Sequence, residues 1–349
     1  MGHTPTYAPR IRLSRSSKIF LGIVVSQSIL IAFVRLLTDV IWKLPATASH
    51  GLLNSDQNSW FFICFLISAS YNVLFALDAV INESRPALFA CIGSSLLLTF
   101  RSVVEFSYKE SACSKESLNW ICIPGLIEVL CYQVFLVSLG LGSVITQMGF
   151  RFYRIVGADL SLREIYERYI QWVTMYRLNQ QFSLLAFVTS LFFSNSVLQV
   201  LYTVVFLLLE AAWEITCVLA IHKEDPGLSR LATILSSCTP VYSAILLVLL
   251  AGNPFFFDGL MLFKVFFLVV LNIINRVIVE ILAHRLRASF GQGFRSRILP
   301  KLNVLSLALP FRCLSDPGTC YTATVDLQMD SRVSSNSSSA ESSPSAGDL

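Results

Sequence analysis

Residues 182–221 read FSLLAFVTSLFFSNSVLQVLYTVVFLLLEAAWEITCVLAI, forty positions without a lysine or an arginine. At about 1.5 Å per residue a single helix of that length would measure about 60 Å, twice the roughly 30 Å hydrocarbon core of a bilayer. The segment therefore reads as two crossings. Ser194-Asn195-Ser196 is where the turn between them belongs, because these side chains bond readily to nearby backbone and favour turns over helix interiors. The crossings predicted on either side are 172–193 and 197–221.

The rest of the chain has the same character. Its 349 residues are 54% hydrophobic and only 14% charged, with a mean hydropathy of +0.65, whereas soluble domains carry about 25% charged residues. The expected fold class is an all-α integral membrane protein. Six further stretches reach the roughly 20 apolar residues that a spanning helix needs: 19–42, 60–81, 87–108, 120–147, 231–252 and 260–283. The first follows a basic leader (Arg10, Arg12, Arg15, Lys18), but its apolar run exceeds the roughly 7–15 residues of a signal-peptide core and reads as an uncleaved anchor. The expected total is eight spans.

Charge placement supports that count, since cytoplasmic loops carry the excess of lysine and arginine. With a cytoplasmic N-terminus and eight spans, 19 of the 26 basic residues fall inside and only Lys43, Lys109 and Lys115 fall outside. Seven spans, with 182–221 crossing once, is the alternative, and it places the basic C-terminal part on the wrong side. Both termini are thus expected in the cytoplasm. Residues 1–18 form a basic N-terminus, 19–290 the membrane domain with a cytoplasmic loop at 151–171, and 291–349 a tail. The tail is expected to be disordered and serine-rich from about 325, since nine of its last 19 residues are serine and it cannot bury a core. Partners are expected in the lipid bilayer itself and, at the 151–171 loop or the serine-rich tail, in the cytosol. Nothing in the chain points to nucleic acid.

Within the loop, Ser161 followed by Glu164 has capping-box spacing, in which the serine accepts from a free N–H and the glutamate reaches back. Leu162, Ile165, Tyr166, Tyr169, Ile170 and Val173 then recur on one helical face. Such a helix can lie at the headgroup boundary, apolar face down, before entering the fifth span. Gly157 with Asp159 lacks the glycine pattern of a phosphate-binding loop.

Three short stretches, YNVLFALDA (Tyr71 to Ala79), RIVGADLSLREIYERY (Arg154 to Tyr169) and HKED (His222 to Asp225), together resemble an uncharacterised family of fungal Golgi apparatus multi-pass membrane proteins. Arg177-Leu178-Asn179 stands where that family usually has Lys-Phe-Asp. The resemblance implies a Golgi or related endomembrane location and no particular chemistry.

The candidate functional residues are the ionisable groups inside the spans, which are costly there and face other helices or a wet cavity. Arg35, Asp39, Arg101, Glu105 and Glu128 belong to the lumenal half, and Asp78, Glu210, Glu214, Arg276 and Glu280 to the cytosolic half. Arg35 with Asp39, Arg101 with Glu105 and Arg276 with Glu280 are spaced i, i+4, so each pair can neutralise itself on its own helix. Glu210 and Glu214 have no such partner. Either one is protonated or Arg276 crosses over to meet them.

The four histidines (His3, His50, His222, His284) have no ligand spacing, so neither metal nor cofactor is expected, and no Ser/His/acid grouping suggests an enzyme. Cys64, Cys91, Cys131, Cys217 and Cys238 read as small packing residues within spans. Cys113 and Cys122 flank a lumenal loop in which a disulfide is possible, and Cys313 and Cys320 are candidate acylation sites. Two readings of function remain: a non-enzymatic organiser or sorter of endomembrane components, or a transporter or channel built on Glu210 and Glu214.

Overall fold

The computed structural model describes residues 14–46, 53–112, 133–134, 136–138, 140–145, 159–192, 197–251 and 259–291. Among the described residues all regular structure is helical. In chain order the α-helices are α1 (Arg15–Ala46), α2 (Leu53–Asn82), α3 (Arg85–Ala112), α4 (Leu160–Phe192), α5 (Val197–Lys223), α6 (Pro226–Ser236), α7 (Cys238–Ala251) and α8 (Gly259–Arg287), with a π-helical segment at Gly140–Val144. Glu128, Cys113, Cys122, residues 146–158 and the tail beyond 291 lie outside the described residues, as do the side chains of Arg35, Asp39, Arg101 and Glu105.

The forty-residue apolar stretch does form two helices: α4 ends at Phe192 and α5 begins at Val197. Their contacts run in opposite directions along the chain. Tyr176 meets Trp213, Ser183 meets Glu210 and Ser190 meets Thr203, which defines an antiparallel hairpin. Among the described residues three helices are long and apolar enough to cross a membrane, Phe62–Asn82 within α2, Val197–Lys223, and Phe266–Arg287 within α8. A shorter apolar stretch, Arg85–Thr99, opens α3. α5 turns an apolar stripe outward, with Val197, Leu198, Leu201, Val204, Val205 and Leu208 all exposed, far more than isolated surface leucines would explain. α4 is not among the three, because Arg177, Asn179, Gln180 and Gln181 interrupt its apolar half.

α4 is the hub, packing on α2, α3, α5 and most extensively on α8. Its first turns depart from the expectation in two ways. Asp159, rather than Ser161, caps the helix: its Oδ1 accepts from the backbone N–H of Ser161 at 3.0 Å and of Leu162 at 3.4 Å, and from the Ser161 hydroxyl at 2.7 Å. Aspartate serves as well as serine at this position. The helix then runs unbroken for 33 residues, and its apolar face is buried by protein instead of lying on a headgroup layer. Leu162, Ile165, Tyr169 and Trp172 pack into one core with Trp213 and Ile221 of α5 and Val279 and Leu286 of α8.

α1, α2 and α3 share a second core in which Ala76, Ala79, Ala87 and Cys91 are buried beside Phe20, Phe75 and Leu88. Small residues let helix backbones approach closely where lipid offers no hydrophobic drive. Gly140 belongs to the same design, since a Cβ there would sit 3.1 Å from Ile92 Cδ1 and 3.5 Å from both Leu88 Cδ1 and Phe20 Cε2.

The stretch expected as one helix over 231–252 is two, α6 and α7, broken at Ser237. Pro240 explains the break, because its ring clashes with the carbonyl four residues earlier and it offers no N–H. α6 itself starts at Asp225, whose carboxylate accepts from Gly227 N–H at 2.7 Å, with Pro226 in the first turn.

Several bonds tie the chain's basic segments to one end of the bundle. Arg168 bonds to Ser289 at 3.4 Å, Gly291 N–H donates to Glu224 at 2.9 Å, and Arg287 donates to Thr233 at 2.8 Å. The α2–α3 turn and the first turns of α4 line one groove at that end. Arg85, Arg163, Lys223, Arg230 and Arg285 belong to these same segments.

Candidate functional site

Of the ten candidate residues, five have described side chains, and four of those gather where α4, α5, α7 and α8 meet. Arg276 is 1% exposed and Glu210 5% exposed. Two charges so far from water persist only if each is well matched. The guanidinium grips the carboxylate in fork geometry, Nη1 to Oε1 and Nη2 to Oε2, both at 3.1 Å. Of the two escapes open to the paired acids, Arg276 crossing over to Glu210 is the one adopted. The i, i+4 pairing of Arg276 with Glu280 does not form.

The carboxylate takes three more donors. Thr239 Oγ1 reaches Oε2 at 3.0 Å, while Ser183 Oγ and Asn179 Nδ2 reach Oε1 at 2.9 and 3.1 Å. A carboxylate offers about four lone-pair directions, so Glu210 is saturated. Thr239 also accepts from Arg276 Nη2 at 2.8 Å, closing a ring of three side chains from three helices. Its position follows from the break before Pro240, which sets Thr239 in the first turn of α7. Asn272 of α8 is within 3.4 Å of the Ser183 hydroxyl. Among the described residues, Asn179 Oδ1, Asn272 Nδ2 and Arg276 Nε have no hydrogen-bond partner.

An aromatic column approaches the same guanidinium. Tyr169, Trp172, Tyr176 and Trp213 follow one another at centroid separations of 6.1, 5.2 and 5.7 Å. The Arg276 Cζ then lies 3.2 Å from the centre of the Trp213 ring. A desolvated cation over an indole gains about 2 kcal/mol, so the arginine is held by charge on one side and by a π face on another.

Glu280 and Glu214 have other partners. Glu280 accepts from Trp213 Nε1 at 3.3 Å and pairs with Arg287 at 3.7 Å. Glu214, half-buried, accepts from Gln180 Nε2 at 3.1 Å, and the same amide reaches the Tyr176 hydroxyl at 3.3 Å. Asp78 is held apart in a second buried pair, 3.2 Å from Arg177 of α4, with Asn82 Nδ2 donating to it at 2.6 Å.

Sequence reasoning missed Asn179, Ser183, Thr239 and Trp213. Asn179 and Ser183 are one turn apart on a helix facing Glu210, and Trp213 is three residues from it. Those spacings were readable, but the helix pairing that gives them meaning was not.

No protein-family model matches the chain, and neither a curated protein nor a solved structure is significantly similar to it.

Proposed function

We propose that the chain is an eight-span membrane protein of the Golgi or a related endomembrane compartment, with both termini cytoplasmic and a non-enzymatic role in organising or sorting other membrane components. The observation that carries this reading is the saturated Arg276–Glu210 pair. A carboxylate that accepts five hydrogen bonds, two of them from its own counter-charge, has no remaining capacity for a passing ion. It can take up a proton only by stranding Arg276. The buried charges serve best as fasteners between α4, α5, α7 and α8. The membrane reading is supported by three helices of spanning length and by the outward apolar stripe of α5. The orientation is supported by the clustering of basic segments at one end, and the Golgi assignment rests on the resemblance of residues 71–79, 154–169 and 222–225.

The competing reading, a transporter or channel, is favoured by Glu214 and by the unused atoms of Asn179 and Asn272 beside Glu210. Purified protein in sealed vesicles separates the two. The organiser reading expects no proton or solute flux above that of protein-free vesicles. A flux that Glu214→Gln abolishes without lowering the melting temperature would overturn it.

A further inference from the structure

α3 and α8 both pack on α4, and between them runs a groove of ≈ 1080 Å³. Its walls are mainly apolar, Phe89 and Leu97 from α3, Leu178 and Phe182 from α4, Leu271 and Ile274 from α8, with Ser94, Gln171 and Asn275 among them. Phe89 and Ile274 are about half exposed, so the groove opens sideways. Its mouth is different in kind. Glu83 of the α2–α3 turn and Arg85 at the start of α3 line it together with Arg163 and Glu167 of α4, two cations and two anions at the basic end of the bundle. From Arg85 to Leu97 the groove follows α3 for about 18 Å at about 1.5 Å per residue, close to the roughly 15 Å of one leaflet's hydrocarbon.

We propose that this groove binds one membrane glycerophospholipid with a zwitterionic headgroup, its phosphate toward Arg85 and Arg163, its ammonium toward Glu83 and Glu167, and its acyl chain between Phe89, Leu178 and Ile274. Charge complementarity selects the class. Arg163 and Glu167 stand one turn apart and 3.3 Å from each other, presenting both signs side by side. A basic patch alone would select an anionic lipid, and the two carboxylates at the mouth oppose one. An apolar slot capped by a few convergent polar groups is the usual form of a small-ligand site. The organiser role gains a physical handle, since a resident lipid would couple the bundle to the composition of its membrane.

The inference rests on the membrane reading, and the two can fail separately. The full chain is reconstituted in vesicles containing phosphatidylcholine with a photoreactive group in its acyl chain, and adducts are mapped by mass spectrometry. Adducts should concentrate on the groove residues of α3, α4 and α8. Gly93 lies on the groove wall with nothing within 4 Å of an added Cβ. Gly93→Phe, whose Cβ has open space, should therefore project into the slot and reduce adducts to the level of the outward face of α5. Ile274→Trp, from the opposite wall, should do the same if the first variant folds poorly. Unlabelled phosphatidylethanolamine should compete better than phosphatidic acid, and Glu83→Gln with Glu167→Gln should remove that preference. Adducts spread evenly over the outward faces and indifferent to both plugs would overturn the site. So would a cross-link that places the chain's own tail or a second protein there, and stronger competition by phosphatidic acid would overturn the headgroup assignment. Release of the chain by alkaline carbonate would instead overturn the membrane reading.

Discussion

Arg276 and Glu210 are worth most as a pair and are dangerous singly. Breaking a buried pair costs about 3–5 kcal/mol because the survivor keeps its charge without a partner, whereas apolar replacement of both is often neutral. Arg276→Leu should lower the detergent melting temperature sharply, and Arg276→Leu with Glu210→Leu should recover much of the loss. Glu280→Gln should cost far less than either single change, since among the described residues Glu280 holds Trp213 and the partly exposed Arg287, and its own carboxylate is partly exposed. If Glu280→Gln is as damaging as Arg276→Leu, the assigned partner is wrong. At the same scale, Asn82-Glu83-Ser84 is a formal glycosylation sequon, but the Asn82 amide is buried and donates to Asp78. Glycosidase treatment should leave the electrophoretic mobility unchanged. A shift that Asn82→Gln abolishes would place this turn in the lumen.

Helices were legible where a single physical signal decided them, and misread where two signals competed. The division into α4 and α5 was readable because forty residues without a lysine or an arginine exceed a bilayer, while the Ser194-Asn195-Ser196 turn expected between them lies outside the described residues. The cap of α4 was misread because Asp159 and Ser161 both suit an N-cap, and only the fold shows that the first turn starts at Leu160. Asp159→Ala should therefore cost about 1 kcal/mol, and Ser161→Ala much less, by chemical or thermal unfolding in detergent. Equal losses would restore the capping box. The break at Ser237 was written in Pro240, yet the apolar run around it masked the signal. Gly140 gave no warning, because its role depends on Ile92 of another helix. Its close contact implies that Gly140→Val overpacks the α1–α3 core by about 1–3 kcal/mol, and Gly140→Val with Ile92→Ala should recover stability. Failure to recover would mean that the glycine serves its own π-helical segment instead.

For the molecule as a whole, composition and hydropathy carried the helical class, and the tertiary pairings show which helices meet. Composition alone indicated helices in lipid, and the 151–171 segment carried the apolar face of α4's first turns. It did not reveal that this face is covered by α5 and α8, because a buried face and a membrane-lying face have the same periodicity. The candidate site was half legible. Glu210, Glu214 and Arg276 stood out as charges in apolar spans, whereas neutral Thr239 and Ser183 looked like any other small residues until the helices met. The central claim is that α4 and α5 form a hairpin crossing the bilayer, with the basic end of the bundle in the cytoplasm. Labelling of introduced cysteines with a membrane-impermeant maleimide, from each side of sealed endomembrane vesicles, tests it most directly. Ser161→Cys and Lys223→Cys, both at exposed positions near that end, should label from the cytoplasmic side. Val197→Cys, 86% exposed at the start of α5, should label only from the lumen. If Val197→Cys labels from the same side as the other two, the hairpin does not cross, and the eight-span threading falls with it.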